Sequence, residues 1–312
     1  MRQGERNMEH RPLPAGRGAY FEGWYFKHQG EEGGLALIPA IHRERRGDWT
    51  ASLQVITPWE SRMIPYSIRD FARWGEGVEL RLGENWFSRE GVHLEVDEPG
   101  FSLKGELQYG PLSVPEEDIM GPFRHVPHMQ CVHGILSMGH GVDGEVELNG
   151  KTLYFDKGRG YWETDRGRSF PRRYLWTQCS WQDRQRVSLM LAVAHIPVGL
   201  GSFTGVICEI LFAGRPIRLA TYRGAKAERW GEDGAQVRQG TLRLEMEVLE
   251  RHPLPLRAPT GGKMSRTIHE SLFATVRYRL WEGEKLLFDH TDPQASFEWS
   301  EQGNKEGSHR QR

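Results

Sequence analysis

Strict alternation of apolar and polar residues runs through most of the chain, and it limits the possible folds more than any other feature. Val92, Leu94 and Val96 alternate with His93 and Glu95, while Leu242, Leu244, Met246 and Val248 alternate with Arg243, Glu245 and Glu247. On an extended backbone every second side chain projects to the same face, so each run is a strand with one face buried. Val78-Leu80-Leu82, Phe101-Leu103 and Val187-Leu189-Leu191-Val193 read the same way. Asn149-Gly150, between Val146-Leu148 and Leu153-Phe155, is the dipeptide favoured in a type I′ hairpin. No segment has the apolar spacing of a long amphipathic helix. With 37 glycines and 17 prolines as punctuation, the pattern predicts an all-β fold of barrels or sandwiches.

A length of 312 residues favours two such domains over one. The two ends, 1–13 and 301–312, are polar and aperiodic and read as loose tails. Two loops are expected. One, Gly110 to Pro127, has four prolines and three acids; the other, Lys157 to Pro171, is rich in Gly and Arg. A boundary at the second divides the chain into domains 14–165 and 166–300. A net charge of -1 gives no basis for binding a phosphate backbone, so nucleic acid is not an expected partner. The 11 Trp, 13 Phe and 9 Tyr suit a barrel that holds an apolar ligand.

Three cysteines without a CxxC spacing point to a reducing compartment, and the polar start with no apolar leader to the cytoplasm. No stretch approaches the roughly 18 apolar residues of a spanning helix, so membrane contact is expected only at a surface, for lipid uptake. Walker, GxSxG, HExxH and dinucleotide fingerprints are missing, and no cofactor is expected. His125, His128, Cys131 and His133 are zinc-compatible residue types, but their spacing fits no zinc motif and no metal is assigned.

Tyr20-Phe21-Glu22-Gly23-Trp24-Tyr25-Phe26-Lys27 resembles the opening signature of the tocopherol cyclase family, and Phe170-Pro171-Arg172-Arg173-Tyr174-Leu175-Trp176-Thr177-Gln178-Cys179 resembles its central one. Leu256 to Met264 and Ile268 to Ser271 are similar to a C-terminal family segment, so the likeness spans most of the chain. The sequence departs from the plant members at Glu163-Thr164-Asp165-Arg166-Gly167, where Arg166 replaces an aromatic. The resemblance implies two lipocalin-like antiparallel β-barrel domains, a superfamily shared with carotenoid hydratases, and a cyclase acting on a prenylated quinol.

Closing a chromanol ring requires a proton delivered to a prenyl double bond, giving a tertiary cation that the quinol oxygen captures. The acid must be buried and neutral near pH 7, and bulk water must be excluded. Glu270 shares a strand face with Leu272, Ala274, Val276, Tyr278 and Leu280, and Glu209 sits within the apolar run Ile207 to Leu211. These two are the candidate catalytic acids; the alternative for each is a rim carboxylate paired with an arginine. Glu22 alternates with Trp24 and Phe26, which suggests a pocket face or a structural partner for an arginine.

The other substrate-binding candidates are Trp24, Tyr25, His133, Tyr174, Trp176 and Gln178. Trp24, Tyr25 and Trp176 would shield the cation, the rings of Tyr174 and Trp176 could stack on the quinol head, and Gln178 or His133 would hold it. His195 is a candidate relay or a rim residue, and Glu163 and Asp165 are expected to tie a loop, with gating of a pocket as the alternative. Two rivals share this profile, a carrier without chemistry and a hydratase that lets water capture the cation.

Overall fold

A computed structural model describes residues 10–31, 33–75, 78–126, 129–183, 185–198 and 201–302. The first half of the chain carries β1 (Tyr20–Gln29), β2 (Gly34–Arg43), β3 (Trp49–Ile56), β4 (Ser61–Ser67), β5 (Phe71–Trp74) and β6 (Glu79–Leu82). It continues through β7 (Asn85–Phe87), β8 (Gly91–Glu98), β9 (Phe101–Tyr109), β10 (Cys131–Leu148), β11 (Lys151–Tyr154) and β12 (Gly158–Gly167). The second half carries β13 (Arg173–Gln182), β14 (Arg186–Val198), β15 (Gly201–Phe212), β16 (Arg215–Ala220) and β17 (Lys226–Gly231). After these come β18 (Gly234–Gln239), β19 (Leu242–Arg251), β20 (Leu254–Thr260), β21 (Lys263–Glu282) and β22 (Lys285–Glu301).

Each half forms its own antiparallel sheet. The first runs β4-β3-β2-β1-β12-β10-β9-β8-β7-β6-β5, with β11 beside β10; the second runs β16-β15-β14-β13-β22-β21-β19-β18-β17, with β20 beside β21. The plan is the same in both, since four strands meander outward and the last strand returns to pair with the first. The fold is therefore all-β in two halves, as the alternation predicts. Barrel closure differs from expectation: among the described residues each sheet curls over its core without a ladder joining its two end strands.

Three apolar cores explain the burial pattern. One lies inside the first sheet, around Trp24, Phe26, Leu37, Phe87 and Trp162, and a second lies inside the other sheet, around Leu175, Leu191, Val206 and Leu280. A third, with Tyr25, Met138, Tyr161, Trp176, Ile268 and Leu272, fills the space between the sheets. Strands facing only one core alternate cleanly, as β8 does, whereas β1 and β13 face two cores and are buried almost throughout. The Asn149-Gly150 turn takes positive φ at both residues, 51° and 81°, as a type I′ hairpin requires.

The Lys157–Pro171 loop is a correction to the sequence reading. Residues 158–167 form β12, whose glycines and arginines occupy ladder positions between β1 and β10. Gly160 shows why a glycine is needed there, because a Cβ would come within 2.2 Å of the His140 ring. Of the loop expected from Gly110 to Pro127, the described residues 110–126 are irregular apart from a short 3-10 turn at Gly121–His125. No helix among the described residues is long and apolar enough to cross a membrane.

Candidate functional site

The central strands of the two sheets face one another across a cavity of about 190 Å3. On the first sheet, odd-numbered residues of β1 and β12 point into it. Gly23 lies opposite Asp165 and Tyr25 opposite Glu163, while His133 on β10 pairs with Asp165 from the other side. On the second sheet Tyr174 and Trp176 come from β13, Glu270 from β21 and Glu298 from β22. Ile38, Ala192, Ile207, Leu256, Met120 and Phe123 supply much of the remaining apolar lining.

Glu270 and Glu298 stand directly opposite in the β21/β22 ladder, so two carboxyls share one buried face. Tyr25 reaches across from the first sheet and its hydroxyl donates to Glu270 at 2.5 Å. The Tyr174 hydroxyl donates to Glu298. Burial pushes Glu270 up to about 7, against the Tyr25 hydrogen bond and the Lys27 charge. Glu298 is held well above the usual carboxylate range, first by burial and then by Glu270. Like charges at such close quarters do not both ionise in an apolar cavity, so this pair holds a proton near neutral pH.

Facing this pair is a second group. His133 lies between two carboxylates, with Nδ1 2.8 Å from Asp165 and Nε2 3.3 Å from Glu163. Burial disfavours its charged form, but Asp165 and Glu163 outweigh that, and His133 is held well above its ordinary value. Glu163 itself is raised by burial, against His133. Its Oε2 accepts from the Tyr161 hydroxyl at 2.5 Å and from Trp176 Nε1 at 3.2 Å, the latter belonging to the opposite sheet. The ligand-type atoms of His133, Glu163 and Asp165 lie within 4.8 Å of one another, a spacing a metal ion also allows. Nδ1 is hydrogen-bonded to Asp165, whereas Nε2 is buried 3.3 Å from Glu163 without a hydrogen bond; with a carboxylate on either side, the charged imidazolium is the form this ring favours.

The central signature closes one end of the cavity. Phe170 packs edge-on against Phe21 at 5.4 Å and Tyr174 at 6.0 Å. Arg266 fixes the crossover by donating to the carbonyls of Pro171 and Arg172 at 2.7 and 3.1 Å. Beyond the acid pair, Lys27 is buried between the sheets and donates to the Gln294 carbonyl at 2.9 Å; burial lowers its amine to about 8.

Of the residues singled out from sequence, the cavity brings together Tyr25, His133, Tyr174, Trp176 and Glu270. Other candidates lie elsewhere. Glu22 and Trp24 have the opposite parity to Tyr25 and face the first sheet's own core, where Arg73 holds Glu22 at 2.5 Å and Phe71 stacks on Trp24 at 5.9 Å. Gln178, two residues past Trp176, lies beyond the cavity and donates to Ser180 Oγ at 2.9 Å. Glu209 is paired with Arg218 at 2.5 Å outside the lining. His195 is exposed, on the face opposite Ala194 and Ile196. Arg166 likewise points outward, so the departure at that position leaves this cavity wall unchanged. His128 lies outside the described residues.

Glu298, Tyr161 and the inward placement of Glu163 and Asp165 are not evident from the sequence pattern. Along Ala295 to Ser300, apolar Ala295, Phe297 and Trp299 alternate with polar Ser296, Glu298 and Ser300, which is the signature of a solvent-facing edge. Here the polar face is turned toward the other sheet.

The sequence model of the tocopherol cyclase-like family matches residues 101–300. A probable chloroplastic tocopherol cyclase of Oryza sativa subsp. japonica is 25% identical over 188 residues, covering 55% of this chain and 39% of that protein. The matched segment thus spans well under half of the rice protein. Among solved structures, CghA with Sch210972 has a TM-score of 0.57 at 10% identity, covering 91% of this chain and 88% of its own. A putative AttH from Nitrosomonas europaea has a TM-score of 0.52 at 11% identity, covering 93% and 97%. Kievitone hydratase from Nectria haematococca has 0.51 at 10%, covering 91% and 89%. At these identities the structural likeness establishes the shared two-sheet, lipocalin-like fold alone. The family match extends over more than half of the sequence, and the chain belongs to the tocopherol cyclase-like family.

Proposed function

We propose that the protein is a cofactor-independent intramolecular cyclase that protonates the prenyl double bond of a prenylated quinol and closes a chromanol ring. The observation that supports it most is the cross-strand Glu270–Glu298 pair, two buried carboxyls on a face of an otherwise largely apolar cavity. A carboxyl that stays neutral near pH 7 is the acid an alkene requires. Glu270 transfers its proton to one alkene carbon and leaves a tertiary cation on the other. The rings of Tyr25, Tyr174 and Trp176 face that charge and the apolar walls keep water away.

The quinol hydroxyl lies toward His133 and Glu163. Its oxygen forms the new C–O bond as its proton passes to Glu163, and transfer of that proton back to the Glu270–Glu298 pair resets the site. Substrate and product are isomers, so no redox partner or second substrate is needed. Glu209, the other candidate acid, is better explained by its arginine partner. The relation to the rice protein favours a prenylated quinol, and the apolar lining suits its tail.

The test is incubation of the protein with a prenylated hydroquinone in D2O, followed by mass spectrometry. A chromanol carrying one non-exchangeable deuterium supports the reading, and loss of that product in Glu270→Gln assigns the acid. Ligand recovered unlabelled would convert the protein to a carrier, and a labelled tertiary alcohol would make it a hydratase.

A further inference from the structure

The buried ion pair between Glu209 and Arg218 has no part in the chemistry proposed above, yet its remaining contacts give it one. We propose that Arg218, balanced by Glu209, is a positioning residue that latches residues 117–123 across the cavity and so sets how fast an apolar ligand is admitted and released. This rests on the reading of the cavity as a ligand site.

The segment between β9 and β10 belongs by sequence to the first sheet. It is tied there at Ser113, whose carbonyl accepts from Met138 N–H at 2.8 Å and whose N–H donates to Ser137 Oγ at 3.1 Å. Beyond that point it crosses to the second sheet. Arg218 donates to the carbonyls of Glu117 at 2.9 Å and Asp118 at 3.0 Å, and the Tyr222 hydroxyl donates to the Ile119 carbonyl at 3.0 Å. Arg223 adds a bond to the Glu117 carboxylate at 2.6 Å.

With its carbonyls held in this way, the strap turns apolar side chains inward. Met120 and Phe123 line the cavity, and Phe123 packs on Phe203 and Tyr222, both at 5.8 Å between centroids. Gly121 makes the turn at a φ of +51°, and a Cβ there would come within 2.5 Å of the Tyr222 ring. The strap therefore lies flat on the tyrosine.

A latch must open without leaving a bare charge in an apolar place, and this one can. Glu209 and Arg218 are opposite residues in the β15/β16 ladder, so their 2.5 Å contact does not depend on the strap. When the strap lifts, the two carbonyls meet water and the guanidinium keeps its carboxylate. Had the strap's own acid been the only counter-ion, lifting would strand a buried cation.

The experiment compares wild type with Glu209→Met/Arg218→Met, which removes both charges together, and with Arg218→Lys, whose single ammonium cannot fork across two carbonyls. Hydrogen exchange is read at the amides of Gly121, Phe123 and Val126, each bonded within the strap, alongside those of β15 and β16. Stopped-flow fluorescence follows uptake and release of the neutral apolar dye N-phenyl-1-naphthylamine. In the double variant the strap amides and both dye rates should quicken by about tenfold or more, with Arg218→Lys between, while the β15 and β16 amides hold their protection. Unchanged dye rates would overturn the proposal. So would an equal loss of protection across β15 and β16, which would mean general loosening. A wild type that cyclises no prenylated quinol would remove the proposed function and leave these rates as they are.

Discussion

Glu270→Gln should make the protein more stable and less active at once. In the native state burial lifts the Glu270 carboxyl from 4.5 to about 7. Between those two values an unfolded chain has released this proton and the folded chain still holds it. Folding therefore takes up a proton, and the stability Glu270 allows is full below about pH 4.5 and lost as pH rises through about 7. The shift corresponds to about 3 kcal/mol of native-state penalty at pH 8 and to almost none at pH 4.5.

A glutamine at 270 never ionises, and its amide oxygen can still accept the Tyr25 hydroxyl, so the variant escapes the penalty. Urea unfolding of both proteins across this range should give a stability difference that is small at the acid end and grows to about 3 kcal/mol in favour of the variant. Part of that gain belongs to the pair, because Glu298 ionises more easily once its neighbour is neutral; Glu270→Gln/Glu298→Gln should gain less than the sum of the single variants. Turnover of a prenylated hydroquinone should fall by about 10²-fold or more in Glu270→Gln. A difference independent of pH, or a variant less stable than wild type at pH 8, would refute the account of Glu270 as a buried neutral acid.

Three further outcomes follow from the same geometry. Trp176→Phe keeps a ring but removes the N–H bonded to Glu163, and it should lower kcat by about tenfold with little change in KM, as steady-state kinetics would reveal. His133→Gln removes a cation held between Glu163 and Asp165; the stability His133 provides is present below its unfolded value of 6.5 and lost as pH rises through its raised folded value. The variant should accordingly be most destabilised relative to wild type at pH 6 and below, in thermal melts run across pH. Arg73→Met strands Glu22 without a partner in the first core and should cost about 3–5 kcal/mol in urea unfolding, most of it recovered in Glu22→Gln/Arg73→Met, with the dye still bound by the double variant.

What the sequence reveals depends on how many faces of a strand are buried. β8, with solvent on one side, displays its period directly in Val92, Leu94 and Val96. The same rule applied to β22 points the wrong way, since Ser296, Glu298 and Ser300 look solvated but face the other sheet. At β1 the local pattern offers two alternatives of equal quality, Glu22-Trp24-Phe26 or Gly23-Tyr25-Lys27, and only the packing of the sheets decides which enters the cavity. Glu209 misleads for a related reason. An acid in an apolar strand is a fair candidate donor until its neighbour in the ladder is known, and Arg218 lies nine residues away across a hairpin turn.

The shared plan of the two sheets accounts for where the chemistry gathers. In each, the last strand inserts beside the first, so the centre of each sheet is a set of strands buried on both faces. Equivalent positions then carry equivalent residues: Tyr25 stands opposite Glu163 in the first sheet and Trp176 opposite Glu298 in the second. The hydrogen bonds exchange partners across the gap, with Tyr25 donating to Glu270 of the second sheet and Trp176 to Glu163 of the first. Neither half contains a complete acid group or a complete imidazolium group with its aromatic donors. A carboxyl in a lone sheet would face water and titrate as an ordinary acid; apposing the two sheets removes the water, which raises the acid pair, while His133 keeps its charge against that burial through Asp165 and Glu163. Docking of the halves is thus the event that makes the acid, and a displacement of one sheet by a single ladder position would turn Tyr25 and Trp176 away from the carboxyls they serve.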